Sequence, residues 1–119
     1  MARYRLTKSA KGDIGSILKT SEERYGRDAR TRYAALILAA LRRVAEAPEG
    51  RSTLDLGELR PGLRSFHIRH SRDESREPSV ANPVHVIFYR VISPRLVEIV
   101  RVLYDRMEPG RHIGPPSKS

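Results

Sequence analysis

The stretch Val84-His85-Val86-Ile87-Phe88-Tyr89-Arg90-Val91-Ile92, followed after Ser93-Pro94-Arg95 by Leu96-Val97-Glu98-Ile99-Val100-Arg101-Val102-Leu103, decides the fold of this chain. Both runs are dense in β-branched and aromatic residues, and the break between them carries a proline, so they predict an antiparallel hairpin. His85–Ile92 is apolar on both faces, with Val86, Phe88 and Ile92 on one and Ile87, Tyr89 and Val91 on the other. That is the pattern of an interior strand. Glu98 and Arg101 interrupt the second run, and strict alternation sends them to opposite faces. The hairpin then enters a polar, basic segment with its own turn, Tyr104-Asp105-Arg106-Met107-Glu108-Pro109-Gly110-Arg111-His112-Ile113. A core that ends in a short charged tail implies that the tail meets a partner. The tail is expected to be separable, so that a chain cut after Leu103 keeps a folded core.

Upstream, Tyr4-Arg5-Leu6-Thr7 predicts a short strand whose last residue caps a helix through its hydroxyl. Ala10, Ile14, Ile17, Leu18, Ser21 and Tyr25 recur at helical spacing and predict a helix over Ser9–Tyr25. Gly12 and Gly15 weaken it, by about 1 kcal/mol each relative to alanine. Gly26 supplies a left-handed stop. Arg27–Glu46 carries the stripe Tyr33, Ile37, Ala40, Leu41 and Val44 and is closed by Pro48 and Gly50. Leu36 and Leu38 flank that stripe as candidates for exposure to a partner helix. Two helices joined at a glycine corner fold back as a hairpin with both stripes on one surface.

Arg51–Pro61 reads as a loop with room for a short extended piece. Leu63–His70 alternates as a strand, with Phe66 and Ile68 on one face and His67 and Arg69 on the other. Ser71–Pro83 is polar and holds two prolines, so it predicts a long, mobile hairpin loop. Residues 1–113 are expected to form one domain and 114–119 a disordered tail. The order β-α-α-β-β-β implies an α+β fold, a helical hairpin packed on a largely antiparallel sheet.

At 119 residues the chain supports one core that buries roughly two-thirds of its unfolded surface. No run approaches the roughly 18 apolar residues that cross a bilayer, and the first residues read as a strand rather than a secretory leader. Cysteine is absent, which excludes disulfides and thiolate chemistry. A cytoplasmic location follows as the default. The 23 basic and 14 acidic residues leave a charge of +9, so the field favours an acidic partner. With seven Phe and Tyr residues, mostly in core patterns, the chain lacks a stacking platform, which disfavours direct nucleic-acid binding.

Taken together, these residues resemble the RelE/ParE superfamily of bacterial toxin–antitoxin systems, and ParE more closely than RelE. The resemblance is carried by Tyr4-Arg5-Leu6-Thr7 before Ala10 and Asp13-Ile14, by Gly26, and by Gly62-Leu63-Arg64. It continues through His85–Val91 and Ile99–Met107 followed by Arg111-His112, and covers about Arg3 to Ile113. Arg101-Val102-Leu103-Tyr104-Asp105-Arg106-Met107 looks like the ParE ending, with Tyr104 where the family usually has histidine. Ser71–Pro83 is longer than the family's usual connection. The resemblance implies a toxin neutralised by a ParD-like antitoxin with an acidic C-terminal segment. It also implies inhibition of DNA gyrase, without enzymatic activity, metal or cofactor. The alternative is a RelE-type, ribosome-dependent mRNA endonuclease.

RNA cleavage needs an activated 2′-hydroxyl, a protonated leaving oxygen and a cation on the phosphorane. Arg64 and Arg90 are the candidate cations, and His85, Tyr89, Tyr104 and His112 the candidate acids and bases. Arg64 reads first as a strand-end ion pair that holds the following loop. The only lysines are Lys8, Lys11, Lys19 and Lys118, so the lysine patch of the ribonuclease relatives has no counterpart. His67 and His70, three apart on a strand, would point to opposite faces and could not share a metal. The expected target- or antitoxin-facing residues are therefore Tyr104, Arg106, Arg111 and His112, with Arg64 and Arg90 secondary.

Overall fold

The computed structural model describes residues 2–75 and 80–113. Its elements are β1 (Arg3–Leu6), α1 (Lys8–Tyr25), α2 (Arg27–Glu46), β2 (Thr53–Asp55), β3 (Leu63–His67), β4 (His85–Ser93) and β5 (Leu96–Tyr104). Two 3-10 turns, Ile68–Glu74 and Pro109–Arg111, complete the described residues. The five strands form one sheet in the order β1-β5-β4-β3-β2, with β1 parallel to β5 and every other pair antiparallel. This is the expected α+β architecture, with β2 as the short extended piece in the Arg51–Pro61 loop.

Thr7 caps α1 by accepting the Ala10 amide at 3.0 Å, and its own hydroxyl donates to the Val100 carbonyl at 2.8 Å. One side chain thus starts the helix and binds it to the sheet edge. Gly26 stands at φ 92°, ψ 177°, a region essentially reserved for glycine, and turns the chain between the helices. Along α2 the stripe Tyr33, Ile37, Ala40, Leu41 and Val44 is buried against Phe66, Ile68, Ile87, Tyr89, Val97, Ile99 and Val102 of the sheet side. A second cluster, Leu63, Phe88 and Leu103 with Ile113, lies on the opposite sheet face.

Several expectations are corrected. Leu36 is 1% exposed and belongs to the core, whereas Leu38 is 38% exposed. Tyr25, at the end of the α1 stripe, is 74% exposed and lies outside the core. The strand expected over Leu63–His70 stops at His67, whose Nδ1 accepts the Arg69 amide at 3.1 Å and caps a 3-10 turn. That turn buries Ile68 and Ser71 and occupies the first part of the expected loop, while residues 76–79 of that loop lie outside the described ones. With the strand ended, the rings of His67 and His70 approach edge-on with centroids 6.5 Å apart instead of facing away from each other.

In the central strand β4, the ladder with β3 begins at Arg90, so Val91 and Ile92 run beyond it and are exposed. The β4–β5 register also breaks: Tyr89 faces Ile99 while Phe88 faces Arg101, leaving Val100 as an extra residue. Because Phe88 and Arg90 share a face, their partners Arg101 and Glu98 do too. The bulge therefore brings both charged residues to the face the helices leave open.

Candidate functional site

The segment Asp105–Ile113 folds back across that open face and is held at both ends. At its start the Asp105 amide donates to the Val84 carbonyl at 2.7 Å. The Asp105 carboxylate accepts from His67 Nε2 at 2.9 Å; since His67 Nδ1 is already an acceptor, the proton sits on Nε2. At its end, the turn Pro109–Arg111 returns the amides of Arg111, His112 and Ile113 to the carbonyls of Glu108 and Pro109. The Ile113 side chain is 5% exposed and seats on Leu63, Phe88 and Leu103. The expectation of a separable tail is thereby overturned, because its last apolar residue completes a core cluster.

Two guanidinium groups fasten the final carbonyls. Arg60 Nη2 donates to Ile113 O at 2.9 Å, and Arg101 Nη1 donates to His112 O at 2.9 Å. The other arms of Arg101 grip the Asp13 carboxylate of α1, Nε to Oδ2 at 2.7 Å and Nη2 to Oδ1 at 2.8 Å. Asp13 Oδ2 also accepts the Val102 amide at 2.9 Å. The β1 ladder ends at Ile99, so this amide meets no strand and the carboxylate replaces the missing partner.

The expected site residues separate into groups. Arg106 is exposed and has no side-chain hydrogen bond or ion pair among the described residues. Arg111 meets Glu108 at 3.1 Å, an open pair that contributes little stability. The side chain of His112 is exposed beside it. Tyr104 pairs with His85 across the β4–β5 ladder, their rings 6.2 Å apart, and so stands on the helix side, away from the tail.

Arg64 donates to Pro48 O at 3.0 Å and Thr53 Oγ1 at 2.8 Å, with Asp55 at 3.8 Å. It clamps the preceding loop, not the following one. Tyr89 sends its hydroxyl to the same Pro48 carbonyl. Arg90 is committed to Glu98 at 2.8 Å, and Arg5 joins from β1 at 3.2 Å. Both arginines hold Glu98 below the usual carboxylate range, hydrogen bonding from Arg90 first. Arg64 and Arg90 flank adjacent sheet positions and therefore face opposite sides. Of the candidate cations, acids and bases of RNA cleavage, Arg64 meets Tyr89 at the Pro48 carbonyl and His85 meets Tyr104, while Arg90 stands on the opposite sheet face. Among the described residues no three His, Asp or Glu side chains could hold a metal ion.

His85 is tied to α2. The Val84 amide donates to the Tyr33 phenol oxygen at 3.2 Å, which directs the Tyr33 hydroxyl to His85 Nδ1 at 2.5 Å. Burial pushes Tyr33 up to about 12 and His85 down to about 4, the latter only partly offset by Asp105. A neutral imidazole is required here as acceptor. Between about pH 6.5 and 4 the unfolded chain binds the His85 proton and the folded chain does not, so stability falls as pH drops through that window. Melting temperatures measured from pH 7 to 4 should fall, and His85→Asn, whose carbonyl oxygen can take the Tyr33 hydroxyl, should flatten the slope. An unchanged slope in that variant would assign the acid sensitivity elsewhere.

Sequence reasoning missed Asp13, Arg60 and Ile113 as the fastening groups. A signal existed for Asp13: it lies in the first turns of α1 among Ala10, Ile14 and Ile17, where a carboxylate needs a partner. On the outer surface of α2, Ala35, Leu38, Ala39 and Arg42, with Arg43, Glu46 and Glu74, line a shallow cavity of about 230 Å³.

Comparison with known proteins adds to this geometry. The family model for the ParE toxin of the type II toxin–antitoxin system, parDE, matches residues 4–109. "Toxin ParE1" of Caulobacter vibrioides is 33% identical over 114 residues, spanning 96% of this chain and all of that protein. "Toxin ParE1" of Mycobacterium tuberculosis is 28% identical over 112 residues, spanning 94% of this chain and 98% of that protein.

Proposed function

Because the chain belongs to the ParE toxin family of type II toxin–antitoxin systems, we propose that it acts without enzymatic chemistry, inhibiting DNA gyrase through the segment Asp105–Ile113. As the toxin component it has a cognate antitoxin partner. That antitoxin is ParD-like and presents an acidic, amphipathic C-terminal segment. The cavity on α2 fits this mode: Leu38 and two small alanines offer apolar contact, and the exposed Arg42 is available to carboxylates beside Glu46 and the Arg43–Glu74 pair. No helix among the described residues is long and apolar enough to cross a membrane. The site of action in this reading is the cytoplasm, where the family's antitoxin partner is made.

The observation that carries the gyrase reading is the segment pinned at both ends with Arg106 and Arg111 turned outward. A pre-formed loop with exposed guanidinium groups loses little entropy on binding and reads carboxylate or phosphate geometry. Tyr104, Arg64 and Arg90 are less suited to the target, the first by its side of the sheet and the others by their internal partners. Arg106→Ala with Arg111→Ala should reduce growth inhibition by about tenfold or more, as removal of interface anchors does. Antitoxin affinity should stay unchanged. Purified toxin should block gyrase supercoiling in vitro; intact supercoiling together with A-site cuts in translated message would replace this reading with the endonuclease one.

A further inference from the structure

We infer that Arg101 is the positioning residue of the C-terminal segment, aimed by Asp13, and that it sets how Arg111 and His112 are presented to the target. This rests on the reading of that segment as target-facing. The guanidinium is planar, and its Nε and Nη2 lie on the two oxygens of one carboxylate. The remaining nitrogen, Nη1, then has a fixed direction, and the His112 carbonyl stands 2.9 Å along it. The Val100 bulge is what turns Arg101 toward the open face.

The placement of His112 is thus referred to α1 and β5, and not only to the local 3-10 turn. Arg60, the other fastener, differs: its Nε and Nη1 are buried without a hydrogen-bond partner among the described residues, and none of their carboxylates orients it. Lysine at position 101 would keep the charge beside Asp13 but has a single compact donor group. It could not hold both the carboxylate and the His112 carbonyl in this geometry.

The test uses Arg101→Lys in the full chain, with Ala45→Gly in α2 as a control that lowers stability at a distance from the segment. Amide hydrogen exchange at Arg111, His112 and Ile113 should accelerate about tenfold or more in Arg101→Lys but not in the control, because only the former frees the segment locally. Growth inhibition without antitoxin should fall in Arg101→Lys and persist in Ala45→Gly, with antitoxin affinity constant. Unchanged exchange in Arg101→Lys overturns the inference. So does accelerated exchange with full growth inhibition, provided the Arg106/Arg111 double alanine has lost it. If that double alanine is also fully inhibitory, the target-facing reading itself has failed. Should Arg101→Lys not fold, NMR of the unsubstituted chain decides: resolved, slowly rotating Arg101 Nη protons support the contact, and freely averaged ones overturn it.

Discussion

Asp13→Ala is expected to destabilise the fold by about 2–4 kcal/mol, somewhat below the cost of breaking a fully buried charge pair from one side because both partners keep some exposure. Two groups lose their partner together. Arg101, only a quarter exposed, keeps its charge with no carboxylate beside it, and the Val102 amide at the sheet edge loses its acceptor. Asp13 also pushes the Arg101 guanidinium further above its already high range, so the charge will not be relieved by deprotonation. Asp13→Asn keeps an oxygen for the amide and should cost clearly less, on the order of 1 kcal/mol. Urea unfolding of the single variants and of Asp13→Ala combined with Arg101→Ala completes a double-mutant cycle. A coupling energy below about 0.5 kcal/mol would show that the pair is decoration.

Ending the chain at Leu103 should remove more than the charged tail. Ile113 fills the cluster of Leu63, Phe88 and Leu103, and truncation opens those three side chains to water on a sheet face that no helix covers. Loss of one buried isoleucine costs about 2–5 kcal/mol, so with the cover gone the shortened chain should melt early, bind a hydrophobic dye and aggregate. Ile113→Ala isolates the apolar part and should reproduce most of the loss without deleting Arg106 or Arg111. A truncated chain that unfolds cooperatively near the full-length temperature would refute the docking of this segment. The consequence for function is practical: loss of growth inhibition on truncation would reflect unfolding, and the Arg106/Arg111 substitutions are the informative ones.

The elements set by local chemistry were legible without coordinates. Arg27–Glu46 carries a stripe at i, i+3 and i+4 and a terminal Pro48 and Gly50, and α2 has those bounds. As a cap Thr7 acts through its hydroxyl on an amide three residues on, and Gly26 turns the chain through its own backbone, so both roles were readable. Strand alternation predicted β4 and β5 but placed Glu98 and Arg101 on opposite faces, because a bulge exists only between two strands. His67 failed similarly: its side chain ends β3 through a hydrogen bond that competes with the ladder, and alternation carries no record of that competition.

The sequence by itself determined the helical hairpin, the β4–β5 pair, the positive field and, through its ordered motifs, the toxin family. Those properties depend on periodicity, caps and composition, which are written in residues close together. Only the tertiary structure decided that β1 lies parallel beside β5, that Asp13 meets Arg101 across 88 positions, and that the charged ending is an anchored strap. Such contacts arise from packing distant segments onto one sheet, where an unpaired edge amide, a buried charge and an uncovered apolar face each need a partner that sequence spacing does not name.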